Sequence, residues 1–336
     1  MKLPEPRGAL SSALIDRLLG GAREASPTAP VDGGADPLED DDLQLALYIA
    51  YELAYRGFED IDSDREWDLG VLALRAELER AFAAALREAV PRRRGVDPEA
   101  VGRLLFELAE SDPGPSLSRH LGASGTTEQM REFVVHRSAY QLKEADPHSW
   151  AIPRLEGAAK AALVEVQFDE YGSGDAERIH ARLFAEAMDA LGLDSTYGAY
   201  LDLLPARTLT TVNLMSMFGL HRRWRGAIVG HLAMFEITSP EPNRRYGNAL
   251  RRLGFDAATP FFDEHVEADS IHENIAAYDM AGGLARQEPE LTGDILWGAE
   301  CLLVLEAHWA GMLLDAWERG GTALRRPLGE QAAVPA

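Results

Sequence analysis

From Asp41 the chain reads DDLQLALYIAYELAYRGF: two acidic residues suited to a helix N-terminus, then apolar positions three and four apart. WDLGVLALRAELERAFAAALREAV repeats that period, and DPEAVGRLLFELAES gives a third amphipathic helix before SDPGPS breaks it. TTEQMREFVVHRSAYQLKEADP predicts a helix behind a Thr126 cap, running to about Asp146-Pro147. GAAKAALVEVQFDEYGSGDAERIHARLFAEAMDALGL is a long helical pattern interrupted by Gly172 and Gly174, which leave the stretch around Glu170 open to unwinding or to a plain loop. Further helices fit TLTTVNLMSMFGLHRRWRGAIVGHLAMFEI, NRRYGNALRRLG, FFDEHVEADSIHENIAAYDM and DILWGAECLLVLEAHWAGMLLDAWERG. Residues 21–41, rich in Gly, Ala, Pro and Asp, read as a linker or loop. No alternating strand pattern competes, so the expected architecture is all-α.

Composition narrows the picture. The 336 residues hold 33 Lys and Arg against 55 Asp and Glu, a formal charge of −22. That argues against nucleic acid as the main partner, because phosphate recognition needs a basic footprint. Cys301 is the only cysteine, which excludes an intramolecular disulfide and a thiolate-held metal cluster. No long uncharged apolar run and no signal-type N-terminus occur, so no membrane span is expected and the cytoplasm is the expected location.

The chemistry concentrates in two stretches. In DEHVEADSIHEN, His265, Asp269 and His272 are four and three residues apart, so on a helix all three leave one stripe, within about 40° to one side and 20° to the other of His265. Imidazole and carboxylate together suit iron or manganese; the competing reading is a solvated acidic face. In DEYGSGDAERIH, Glu177 and His180 have the Glu-x-x-His spacing of helical metal sites, and Glu170, seven residues earlier, can share their face. Asp269 and His272 repeat the pair as Asp-x-x-His. His136, His148, His221, His231 and His308 fall outside this pattern; His148, just after Asp146-Pro147, reads as a capping or packing residue, the alternative being that it orients the end of the Glu144 helix. Arg137 shares the Glu144 face and reads as a structural ion pair, and the basic stretch HRRWRG reads as a surface helix.

RSAYQLKEADPHSWAIPRL, ALVEVQFDEYGSG with ERIHARLFAEAMDALGLD, and HVEADSIHE together resemble the haem-oxygenase-like diiron oxidases, most of all their N-oxygenating branch. The likeness covers roughly residues 126–320. It implies a haem-oxygenase-like helical bundle over 126–325, additional N-terminal helices over 1–125 that extend the bundle or form a homodimer contact, and a tail at 326–336. It also implies a site of three histidines and four carboxylates: Glu144, Glu170 as a mobile carboxylate, Glu177, His180, His265, Asp269 and His272. Two iron ions would be the cofactor, O2 the cosubstrate, and an external donor would supply electrons, since no flavin or nicotinamide motif is present. The branch's nitrosating member carries a further cupin domain; with no such segment before Ala336, the nitrosating half of that chemistry is expected to be absent.

The function so implied is oxidation of an amine nitrogen of a small molecule in specialised-metabolite biosynthesis. Two alternatives remain at this point. One is a same-fold oxidase performing oxidative decarboxylation, desaturation or C–C cleavage of a fatty or amino acid; the other is a non-catalytic metal-binding protein. A small polar or acidic pocket favours the amine, and a long apolar tunnel favours the fatty acid.

Overall fold

A computed structural model describes residues 1–20 and 36–329, with the side chains of 267–271 excepted. Most of the expected linker and most of the expected tail therefore lie outside the described residues. Among the described residues there are helices and turns and no strand, as the periodicity predicts.

The N-terminal helices are α1 (Ala9–Leu18), α2 (Asp41–Glu52), α3 (Leu69–Ala89), α4 (Val101–Glu110) and α5 (Leu117–Ser124). Then come α6 (Thr127–Gln141), α7 (Asp146–Ser149), α8 (Gly157–Glu170), α9 (His180–Ala190) and α10 (Ala206–Leu220). The chain continues with α11 (Arg225–Thr238), α12 (Pro240–Leu253) and α13 (Pro260–Asn274). A π-helical turn, Ile275–Ala281, joins α13 to α14 (Gly282–Gln287), and α15 (Thr292–Glu318) closes the bundle. Local chemistry sets several starts. Asp40 accepts from the amides of Asp42 and Leu43 ahead of α2, and Asp68 does the same for Gly70 and Val71 ahead of α3. Thr126 and Gln129 form a reciprocal capping box at α6.

The core is built on α11 crossing α15. A Cβ on Gly230 would collide with the Ile295 carbonyl, and one on Gly298 with the Ala227 carbonyl, so two glycines permit the helices to touch backbone to backbone. Around that contact Trp297, Phe218 and Trp224 pack with ring centroids 5.2 to 5.9 Å apart, each buried indole or phenyl contributing on the order of 2–3 kcal/mol. The N-terminal helices belong to the same packing. Asn213 of α10 donates to the side-chain and backbone oxygens of Gln44 on α2, both at 2.8 Å, and the Tyr55 hydroxyl donates to Ser216 at 3.1 Å.

Three stretches depart from the sequence pattern. The helix predicted to reach Asp146 stops at Gln141, because Ala145 takes a left-handed φ of 72° and the intervening residues turn inward. The pattern from Thr208 to Ile237 splits into α10 and α11 where His221 adopts an extended conformation. The long pattern through Gly172 and Gly174 becomes α8 and α9, separated by Gly172, Ser173 and Gly174, all at positive φ. No helix of the described residues is long and apolar enough to cross a membrane.

Candidate metal centre

Four chain segments converge on one buried point. Glu144 projects from the turn after α6, Glu170 is the last residue of α8, His180 the first of α9, and His265 lies one turn into α13. One ligand atom from each of the four lies within 4.8 Å of the others, and all four residues are buried. His180 Nδ1 is 3.0 Å from a Glu170 oxygen, His265 Nε2 is 3.5 Å from a Glu144 oxygen, and the two imidazole rings are 4.4 Å apart. His265 Nδ1 donates to the Phe261 carbonyl one turn back, at 2.8 Å, which puts the ring's lone pair on Nε2, facing Glu144.

Two further side chains flank this cluster. His272, two turns after His265, has Nδ1 3.6 Å from a Glu236 oxygen, and its Nε2 donates to Asp169 at 2.9 Å. Glu236, near the end of α11, is fully inside the protein. Asp269 belongs to the same helix, and its side chain lies outside the described residues.

The electrostatics follow from burial and proximity. Burial opposes ionisation of Glu170, but the neighbouring His180, with His265 and His272, outweighs it and holds the carboxyl down to about 2. Burial likewise opposes a charged His272, yet Glu236 and Asp169 raise it to about 9. Glu236 is pushed above the usual carboxylate range by burial and by the nearby Glu170 charge.

A metal fits the donors left over. Both ring nitrogens of His180, one oxygen each of Glu144, Glu170 and Glu236, and Nδ1 of His272 are buried without a hydrogen-bond partner. The 3.0 Å approach of His180 to Glu170 is not aligned as a hydrogen bond. Each such orphan costs about 1–3 kcal/mol, more for a charged group, and the imidazole nitrogens and carboxylate oxygens that Glu144, Glu170, His180 and His265 bring together are what a hard or borderline divalent cation satisfies, with Glu236 and His272 beside them.

Glu177 is not part of this set. The left-handed turn at Gly172–Gly174 breaks the helix on which Glu170, Glu177 and His180 would have shared a face. Glu177 sits in a separate short turn, its side chain 68 % exposed and paired with Arg182. Glu236 takes a place among the acids that the sequence reading did not assign. Its signal was present: between Gly226 and Ile237 it is the only Asp, Glu, Lys or Arg, in a segment whose one other polar side chain is His231.

A cavity of about 730 Å³ opens onto the cluster, reaching Glu144, Glu170, Glu236 and His265. Its walls combine aromatic rings, including Tyr140 and Phe235 stacked at 5.7 Å, with an ion pair. Arg137 binds Glu306 in bidentate fashion at 2.8 and 2.6 Å, its guanidinium 4.0 Å from the Trp309 ring centre. His148 also lines it, 3.1 Å from His231, and burial lowers its pKa to about 4.

A helical bundle whose interior gathers imidazoles and carboxylates around a substrate-sized cavity defines a metal-dependent redox or hydrolytic protein. The family comparison decides between these. The model of the iron-containing redox enzymes matches residues 131–307, more than half of the chain and all of the cluster, and the chain belongs to that family. No curated protein matches it.

Proposed function

We propose that the protein is a non-haem diiron N-oxygenase that uses O2 to oxidise an amine nitrogen of a small molecule. The observation that carries this reading is the cavity leading to the buried Glu/His cluster. Its lining includes Glu110, Asp112, Glu241, Glu273 and Glu306 as well as the cluster's own acids, against Arg119, Arg137 and Arg245. An acidic, aromatic-walled chamber attracts a cationic amine, guanidine or amino-heterocycle. A fatty-acid oxidase would call for an apolar tunnel, and the Arg137–Glu306 pair in the wall speaks against one.

Glu144, Glu170, His180 and His265 would hold one iron, and Glu236, His272 and Asp269 would help to hold a second. The irons would supply the redox chemistry of O2 reduction and oxygen transfer. The chain's part is to position and to exclude water. The Glu144 turn and the α8 terminus fix two carboxylates, the Phe261 carbonyl fixes the His265 tautomer, and Tyr140 and Phe235 keep the approach dry. Electrons come from an external donor. A cytoplasmic homodimer completes the proposal, and light scattering tests its stoichiometry.

The experiment is to load the metal-free protein with Fe(II) anaerobically, add 18O2 and candidate amines, and read products by mass spectrometry. Incorporation of labelled oxygen on nitrogen is the expected result. Loss of carbon dioxide or ammonia from a carboxylic or amino acid, without oxygen on nitrogen, would replace the reading with the oxidative-cleavage alternative.

A further inference from the structure

A chain with 55 acidic and 33 basic residues sets seven arginines in two segments that meet in space. Arg87, Arg92, Arg93 and Arg94 come from the end of α3 and the turn after it; Arg222, Arg223 and Arg225 come from the start of α11 and the turn before it. The two segments meet over one ring: the guanidinium carbons of Arg87, Arg92 and Arg223 lie 5.3, 5.3 and 5.1 Å from the Trp224 centre. Asp294, Glu300 and Glu288 pair with Arg92, Arg93 and Arg225. Arg94, Arg222 and Arg223 are exposed and make no ion pair with a described residue. The crowding is felt: burial, then the like charges of Arg92 and Arg223, hold the Arg87 guanidinium below its usual value.

The location matters as much as the charge. None of the seven lines the cavity, so a molecule bound here leaves the substrate's path open. Yet the patch is mechanically close to the site. α11 begins in it at Arg225 and carries Glu236 eleven residues further on, roughly 16 Å along the axis. Trp224 lies buried beneath the guanidiniums, tilted against Trp297 with ring centroids 5.2 Å apart, and further along α11 the buried His231 ring meets the half-buried Phe235 ring at 4.8 Å, next to Glu236. A basic face on an acidic protein, away from the substrate's entrance and joined to the metal site by one dry helix, suits a partner that delivers something other than substrate.

We propose that this face docks an acidic one-electron carrier protein of the ferredoxin or flavodoxin class, the external reductant of the oxygenase. The proposal rests on the diiron reading given above. Each encounter oxidises the carrier by one electron and passes that electron to the site, so two encounters return a pair of ferric ions to the ferrous state; no atom crosses the interface. Charge complementarity sets the encounter rate and its salt dependence. A small soluble carrier is favoured over a membrane or a nucleic acid because the chain as a whole, with a formal charge of −22, repels any extended polyanion.

The test uses an acidic [2Fe–2S] ferredoxin as probe and measures its binding to the full-length, metal-free protein by titration calorimetry. Wild type binds at low salt and loses affinity as salt is raised; the exposed double variant Arg94→Glu/Arg222→Glu binds about tenfold or more weakly, with an unchanged melting temperature. Single turnover of protein pre-loaded with Fe(II), which needs no carrier, is the same in both. Equal affinity of wild type and variant, or no binding by wild type, overturns the docking face even where single turnover proceeds. Tighter, patch-dependent binding of phosphatidylserine vesicles or duplex DNA also overturns it. Patch-dependent ferredoxin binding without any amine oxidation would leave the docking face standing and remove the oxygenase reading.

Discussion

Lys143 Nζ lies 2.9 Å from a Glu52 oxygen, with both side chains sealed inside the protein. The pair ties α2 to the residue immediately before Glu144. Around it Tyr197 donates to the same carboxylate at 2.7 Å, and the Lys143 ammonium lies 4.3 and 4.8 Å from the Tyr55 and Tyr48 ring centres. Arg56 donates to the Leu142 carbonyl, and from the other side Gln167 of α8 donates to the Ala145 carbonyl, each at 2.9 Å. The left-handed turn presenting Glu144 is therefore held from two directions, one of them the N-terminal region. Lys143→Met leaves Glu52 buried and unpaired, at a cost of about 3–5 kcal/mol. The expected outcome is a lower melting temperature together with weaker Fe(II) binding at temperatures where the variant is fully folded. Wild-type iron affinity in a folded Lys143→Met protein would show that the clamp does not position Glu144.

The two carboxylates that sequence spacing and structure treat differently give a direct comparison. Glu177→Ala removes an exposed acid paired with Arg182 and should leave iron content and turnover unchanged. Glu236→Ala removes a buried acid facing His272 and should lower the iron retained after desalting and abolish turnover. Metal analysis of the two purified variants checks both; the reverse order would restore Glu177 to the site.

The metal-free protein should lose stability as pH rises. His272 is raised to about 9 from an ordinary 6.5, so the stability it contributes is complete below about 6.5 and disappears as pH climbs through 9. Glu236, also raised, works in the same direction from lower pH. Iron loading needs these groups unprotonated and is favoured by the same rise. Thermal melts with and without Fe(II) should therefore diverge between about pH 6.5 and 9, with the metal-free melting point falling. A metal-free melting point that rises over that window contradicts the assignment of His272 as a charge-paired imidazole.

Glu306 presents its carboxylate to the cavity while gripping Arg137. Glu306→Gln removes a negative charge from the chamber wall without touching the cluster. For a cationic amine, the KM should rise about tenfold, equivalent to about 1.4 kcal/mol, with iron content unchanged. Steady-state kinetics with one cationic and one neutral substrate reads this; an equal effect on both would mean that the pair serves packing alone.

Much of this arrangement was legible in the sequence, and the parts that were not have local causes. Helical periodicity located the bundle because every core helix buries a wide apolar stripe. His265 and His272 were visible as polar residues on such a stripe, since α13 is regular through both. Glu177 misled because Glu-x-x-His spacing carries its meaning only on a continuous helix, and Gly172, Ser173 and Gly174 end that helix at positive φ. Glu236 escaped because its partners come from α8 and α13, distant in sequence; a lone acid in α11 has no spacing to announce it. The Lys143–Glu52 clamp spans 91 residues, too far apart for any local spacing to announce it. Arg137 was readable as an ion-pair residue, but its partner Glu306 was not, being 169 residues away.

Anaerobic titration of the metal-free protein with Fe(II), in parallel with His180→Ala, addresses the central claim most directly. Two ferrous ions bound per wild-type chain, with stoichiometry reduced in the variant, is the predicted result. Wild-type protein that takes up no ferrous iron, or a variant that binds as much as wild type, would mean that the buried imidazoles and carboxylates do not form the iron centre.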